Sequence, residues 1–133
     1  RIRTALSLLT SNPEVHGHLV DLVEVDIQQL SKHGQYGLAG TVASFRASVA
    51  ALRGERRVFR GELERAQGDY EQAGMRVHAA FIQMIRERIA PASPKATSSA
   101  EVYLRLQGIA KPASHARIYA PGIARLLVRP ADR

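Results

Sequence analysis

Five histidines and twelve carboxylates are the side chains of this 133-residue chain that could do acid–base or metal chemistry. Their spacing argues against both. His16 and His18 stand two residues apart, so on a helix they point about 200° from each other, unlike an i, i+4 pair that grips a metal from one face. No carboxylate stands at helical ligand spacing to complete a site around His16, His18, His33, His78 or His115. Glu62, Glu64, Asp69 and Glu71 gather in one stretch, and Glu62 and Asp69, seven residues apart, can share a helix face. Arg65 lies within a helical turn of both, so surface pairing explains them more simply than paired-carboxylate catalysis. Gly37 and Gly40 lack the Lys-Ser/Thr of a phosphate loop, and there is no Gly-x-Ser-x-Gly elbow. The absence of cysteine removes disulfides, thiolate metal sites and cysteine nucleophiles, and fits a reducing compartment. The expectation is a chain that is not an enzyme and takes no cofactor and no metal.

What remains is charge. The net charge is +7, and its placement is uneven. Residues 1–50 carry four basic and four acidic groups, residues 51–90 eight and six, and residues 91–133 seven and two. A basic excess favours acidic partners. The residues expected to meet such a partner are Arg105, Lys111, Arg117, Arg125 and Arg129. Nucleic acid is the less favoured partner, because only Tyr103 and Tyr119 interleave with these cations and no recognition helix is evident.

These groups need elements to carry them, and the apolar spacing predicts helices throughout. One domain of this length buries roughly two-thirds of the surface of its unfolded chain. With aromatics at 5% and no Trp, its core must be built from Leu, Ile, Val and Ala. Residues 2–9 predict a short helix that stops before Asn12-Pro13. Asn12 as cap, Pro13 at the first position and Glu14 in the first turn open a second helix to about Lys32. Its face is Val15, Leu19, Leu22, Val23, Ile27 and Leu30. Gly40-Thr41 opens a third, Ala/Ser-rich helix with Val42, Phe45, Val49 and Leu52 on one face. The fourth and longest spans about Val58–Ile89, with a stripe of Leu63, Ala66, Tyr70, Ala73, Val77, Phe81, Met84 and Ile85 and a kink expected near Gly61. Pro91 to Ser99 reads as a Pro/Ser linker. Ser98 and Glu101 make a capping-box spacing that opens a helix with Val102, Leu106 and Ile109 inward, ended by Pro112. Ser114 caps a last helix with Ile118, Tyr119, Ile123, Leu126 and Leu127, which Pro121-Gly122 must kink or split. No β pattern and no internal repeat is present.

The expected fold class is therefore all-α, a bundle of five to six helices with one long central helix. Residues 1–90 form the bundle, 91–100 the linker, and 101–133 basic helices that pack back on the same bundle as one domain. No apolar run approaches the ~20 residues needed to span a bilayer. The chain opens on Arg1 rather than Met, so it is expected to be a fragment or a processed chain.

Residues 61–89, GELERAQGDYEQAGMRVHAAFIQMIRERI, resemble the helix in the C-terminal domain of the tail-bearing large subunit of the Golgi-associated retrograde protein complex, a helical-rod vesicle-tethering complex. The matching positions are Glu62-Leu63-Glu64-Arg65, Asp69-Tyr70, Val77-His78, and Phe81 to Arg88 with its Arg-x-Arg end. Leu38 to Phe59 and Tyr103 to Leu127 are similar more loosely. The Asn-Ser-Arg and Gly-Ala-Gly stretch of that family has no counterpart here, and the connection ahead of residue 61 is shorter. The resemblance implies an α-helical tether domain in endosome-to-Golgi retrograde transport, contacting endosomal membranes or their proteins, without catalysis or cofactor. It carries over no functional residue. The expected partners are protein subunits of a larger complex and an anionic membrane surface, at the cytoplasmic face of Golgi and endosome membranes. The alternative is a basic helical accessory subunit of an organellar assembly, a ribosome or respiratory complex, in the mitochondrion.

Overall fold

The computed structural model describes residues 1–35, 37–93 and 97–123. Among them the chain forms eight α-helices and a closing 3₁₀ turn, with no strand: α1 (Ile2–Ser11), α2 (Pro13–His16), α3 (Leu19–Ser31), α4 (Leu38–Leu52), α5 (Arg56–Gln72), α6 (Arg76–Ile89), α7 (Ser99–Leu106), α8 (Pro112–Tyr119) and the turn Pro121–Ile123. The all-α bundle expected from the spacing is what forms. Its helix count and its central element differ from expectation, and both differences have local causes.

The stretch from Val58 to Ile89 is two helices, not one. Gly74, at φ +69°, takes the left-handed conformation that closes α5. The Gly74 amide donates to the carbonyl of Glu71, and the Met75 amide to that of Tyr70, 2.9 Å away. These two bonds are a Schellman closure, and Met75 then packs against the core beyond it. Gly61, where the kink was expected, sits inside an unbroken α5, where an added Cβ would point into open space. The burial of Phe59, Leu63, Ala66 and Tyr70 on the opposite stripe outweighs the roughly 0.5–1 kcal/mol that such a glycine costs. Likewise the helix expected from Pro13 to Lys32 breaks at Gly17-His18. The Asn12 side chain does accept from the Val15 amide, at 3.4 Å, but α2 buries nothing. Val15 is exposed, and only Val23 and Ile27 of α3 are fully buried.

The central element is α4. It is buried around most of its circumference, as expected of a helix that is apolar on all sides. Its two faces differ in side-chain size. Val42, Phe45 and Val49 fill a core with Ala5, Leu6 and Leu9 of α1 and Val23 and Ile27 of α3. Ala43, Ala47 and Ala50 face a second core built from α5 to α8, with Phe59, Leu63, Phe81, Ile82, Met84, Ile85, Leu104 and Ile123. The small face lets α5 approach closely. Gly40 lies against the Tyr70 ring, where a Cβ would stand 2.7 Å from Cδ1. The two buried serines of α4 are satisfied: Ser48 donates to the Ser44 carbonyl at 3.1 Å, and Ser44 to the carbonyls of Thr41 and Tyr119 at 3.0 and 3.3 Å.

That last bond belongs to a set that fastens the end of the described chain onto its beginning. Thr10 of α1 donates to the Leu6 carbonyl at 2.7 Å and lies 3.4 Å from the Pro121 carbonyl. Phe81 stacks on Tyr119 with ring centroids 4.3 Å apart and planes 19° apart. Residues 99–123 therefore pack back onto α1, α4 and α6. At the other end, Arg53 makes a two-pronged ion pair with Glu24 at 2.7 and 2.9 Å, joining α4 to α3, and Arg1 pairs with Asp26.

Candidate functional site: the α7–α8 corner

The position of α7 is set by its first residues. Ser98 caps the helix, its hydroxyl accepting from the Glu101 amide at 3.0 Å as the capping-box spacing predicts. The same hydroxyl donates to the Glu87 carboxylate of α6, and Ser99 donates to that carboxylate at 3.2 Å. Burial pushes the Glu87 carboxyl up, but bonds from Ser98, Gln83, Ser99 and the Ala100 amide together hold it below its ordinary value. Glu101 is also raised by burial. It is brought lower overall by Arg88, 2.9 Å away, and Arg105, 3.1 Å away. With Ser98 fixed against α6, the inward residues of α7 are Ala100 and Leu104, with Tyr103 partly buried.

This register corrects the inward face expected for α7. Val102 is 46% exposed and Leu106 79%, while only Ile109 of the three expected residues packs on the core. Both pairs, Ala100 with Leu104 and Val102 with Leu106, have the i, i+4 spacing of a buried stripe. The smaller pair faces the core and the larger pair points outward. Nor does Pro112 end α7. Gly108, at φ +85°, closes it with the Ile109 amide donating to Leu104, and Pro112 is the first residue of α8. Ser114 therefore lies inside α8 instead of capping it.

The corner between α7 and α8 is exposed from Arg105 to Lys111 except at Ile109. It carries two of the five cations expected to meet a partner, and a third lies further along α8. Arg105 reaches over the turn to the Ala110 carbonyl at 3.1 Å as well as to Glu101. Lys111 precedes α8 and is exposed, and its carbonyl accepts from the His115 amide at 3.2 Å. Arg117 is exposed in the last turn of α8. Arg125 and Arg129, with Leu126 and Leu127, lie outside the described residues. The same two helices expose large aliphatics that the spacing did not point to: Val102 and Leu106 on α7 and Ile118, at 52% exposure, on α8. The signal available in the sequence was the Leu106-to-Lys111 stretch itself, where a large aliphatic is followed by a glycine turn and flanked by Arg105 and Lys111.

The chemistry-bearing residues are dispersed. Among the described residues no group of three or more His, Asp or Glu side chains is placed to hold a metal. His18, His33 and His115 are exposed and His16 partly so. His78 is half-buried between the rings of Tyr70 and Tyr119. A groove of about 570 Å³ between α5 and α6 has Phe59, Leu63 and Ile89 as its floor. It is bridged by Arg86, which donates to Gln67 at 2.7 Å and lies 3.8 Å from Glu64. Among the described residues no helix is long and apolar enough to cross a membrane. Comparison with protein families, with curated proteins and with solved structures finds no match.

Proposed function

We propose that the chain is a non-enzymatic helical interaction module that joins protein subunits of a larger complex through its α7–α8 corner. The observation that carries this reading is the corner itself. Arg105, Lys111 and Arg117 are exposed on the two helices, or the turn between them, that carry outward-facing Val102, Leu106 and Ile118, and α7 is tied to α6 by Ser98, Glu87 and Arg88. Large aliphatics rimmed by charge on an otherwise solvated helix are the composition of a docking surface.

Within that class, the resemblance of residues 61–89 favours a subunit of a vesicle-tethering complex in endosome-to-Golgi retrograde transport, at the cytoplasmic face of those membranes. The basic excess after residue 90 supports a second reading, an accessory subunit of an organellar ribosome or respiratory complex. Purification of the tagged chain from its own cells separates them. Co-purification with retrograde tethering subunits, lost in the triple variant Arg105→Gln, Lys111→Gln, Arg117→Gln, is the expected result. Co-sedimentation with an organellar assembly would select the second reading. A chain that migrates as a free monomer would sink both.

A further inference from the structure

We infer that the chain forms a two-fold dimer in which the acidic, aliphatic outer face of α2 and α3 of each copy docks on the basic start of α5 of the other. This surface is separate from the α7–α8 corner: α3 packs on α1 and α4, whereas α7 packs on α6 and α8. The inference therefore does not rest on the reading given to that corner.

Three observations lead to it. The first is a face of opposite sign to the chain as a whole. Between Arg3 and Lys32 there are four carboxylates and no lysine or arginine. Two of the four are taken, Asp26 by Arg1 and Glu24 by Arg53. Glu14 and Asp21 are exposed and pair with no cation among the described residues. Close to them in the chain, Val15 is 60% exposed, Leu22 42% and Val25 53%. Gly17 and His18 keep right-handed helical dihedrals, so the helical phase carries through from α2 to α3. Val15, Leu22 and Val25, at spacings of seven and three, therefore share one outward side.

The second is a basic cluster that stays unpaired. Arg56, Arg57 and Arg60 are exposed at the start of α5 and pair with no carboxylate among the described residues. Val58, between them in the chain, is 49% exposed. By contrast, Arg53, Arg88 and Arg105 are each held by a carboxylate. Glu55, exposed just ahead of α5, offsets one of the three charges. Nor do the arginines serve their own helix. Cations in a first turn oppose the helix dipole, and the first turn of α5 holds no acid.

The third is adjacency. Asp21, Glu24 and Val25 line a cleft of about 520 Å³ together with Arg46, Arg53 and Glu55, the residue ahead of Arg56. The acidic face and the basic cluster thus border one cleft, which the Arg53–Glu24 pair spans, without neutralising each other. Neighbouring patches of opposite sign are self-complementary about a two-fold axis. Each copy's acidic face meets the other's basic cluster, and the contact closes at two copies. This arrangement selects a second copy over an unrelated basic partner, which would leave Arg56, Arg57 and Arg60 uncovered.

The test is sedimentation equilibrium of the full chain. The wild type should dimerise, and the dimer should weaken at about 0.5 M salt. Val25→Ser and Val58→Ser should each weaken it about tenfold or more, because each change occurs twice in a two-fold dimer. Leu106→Ser should leave it unchanged. Two charge-reversed chains decide the arrangement. Glu14→Lys with Asp21→Lys makes the acidic face basic, and Arg56→Glu with Arg57→Glu makes the basic cluster acidic. Each should be monomeric alone. An equimolar mixture should form a one-to-one dimer, since both contacts are then attractive again. The four side chains are exposed and unpaired, so each variant should keep wild-type helicity by circular dichroism. A wild type that is monomeric at roughly 0.2 mM, a dimer that survives either reversal, reversed chains that do not pair when mixed, or a dimer broken by Leu106→Ser would each overturn the inference. So would a monomeric chain whose α3 face binds a peptide of lysine and leucine, which would assign that face to an unrelated partner.

Discussion

The imidazole of His78 meets the ring of Tyr119 edge-on, with centroids 4.9 Å apart and planes at 89°, while the ring of Tyr70 lies tilted against its other side at 5.2 Å. One histidine of α6 thus touches α5 and the segment that closes the bundle. Its surroundings suit a neutral ring. Burial lowers its pKa, and the charge of Arg3 on α1 lowers it further.

The consequence is a pH dependence of stability with a defined sign. His78 titrates lower in the folded chain than in the unfolded chain, so below the unfolded value of about 6.5 the unfolded state binds the proton more readily. Stability from this source is full above that value and is lost as pH falls from it toward the lower folded value. Glu87 and Glu101 are also lowered, but as carboxylates they lose their contribution only below the ordinary carboxylate range. Urea midpoints at about pH 7.5 and 5.5 therefore isolate the histidine. The midpoint should drop in the wild type and drop distinctly less in His78→Phe, which keeps the ring contacts without the titration. An equal drop in both would show that another group governs this window.

The approach of Gly40 to Tyr70 supports a second prediction. A methyl at position 40 would stand 2.7–2.8 Å from three atoms of the Tyr70 ring. The ring has nowhere easy to go: Tyr70 is buried, its hydroxyl lies 3.0 Å from that of Thr41, and His78 packs on its face. Gly40→Ala should cost about 1–3 kcal/mol by overpacking, although alanine favours helix over glycine by roughly 1 kcal/mol. Equilibrium urea unfolding measures the loss. Adding Tyr70→Leu should recover part of it, and full additivity of the two changes would contradict the proposed clash.

These contacts mark where the sequence could be read and where it could not. The class of fold was legible because apolar residues recur at helical spacing almost everywhere, and the Ser98 cap was legible because its partner amide is three residues away. Of the expected stripe, Leu63, Ala66, Tyr70, Phe81, Met84 and Ile85 are buried, and Ala73 and Val77 are partly buried. The break at Gly74 was not legible from glycine alone, since Gly61 and Gly68 have the same local cost and stay helical. At Gly74 the next residue, Met75, packs back once the helix closes, but Gly54 makes the same closure ahead of exposed Glu55, so the following residue alone does not decide. The Gly108-Ile109 pair repeats the Gly74-Met75 pattern. The primacy of α4 was hidden for a different reason: alanines contribute little to an apolar stripe, yet they decide which helix others can approach. The cations Arg105, Lys111 and Arg117 were placed on the surface by their chemistry. Their aliphatic neighbours Val102 and Leu106 were misplaced because the register of α7 is set by Glu87, on another helix.

The third prediction concerns the residue on which the closing segment rests. Phe81 is fully buried, stacks on Tyr119, and belongs to the core shared by α4 to α8. Phe81→Ala removes the ring and leaves a cavity that Tyr119 cannot fill while its carbonyl remains bonded to Ser44. The cost should be about 3–5 kcal/mol by urea unfolding. Phe81→Leu retains most of the volume and should cost less than about 1.5 kcal/mol. A loss under about 1 kcal/mol for the alanine variant would mean that the α6 stripe is not the core. Part of the loss should be shared with the closing segment. In a double-mutant cycle with Tyr119→Leu, the two changes should cost less together than the sum of the single effects, because each removes the same stacked pair. Strict additivity would show that Phe81 is held by α4 and α5 alone and that α8 rests on the bundle without it.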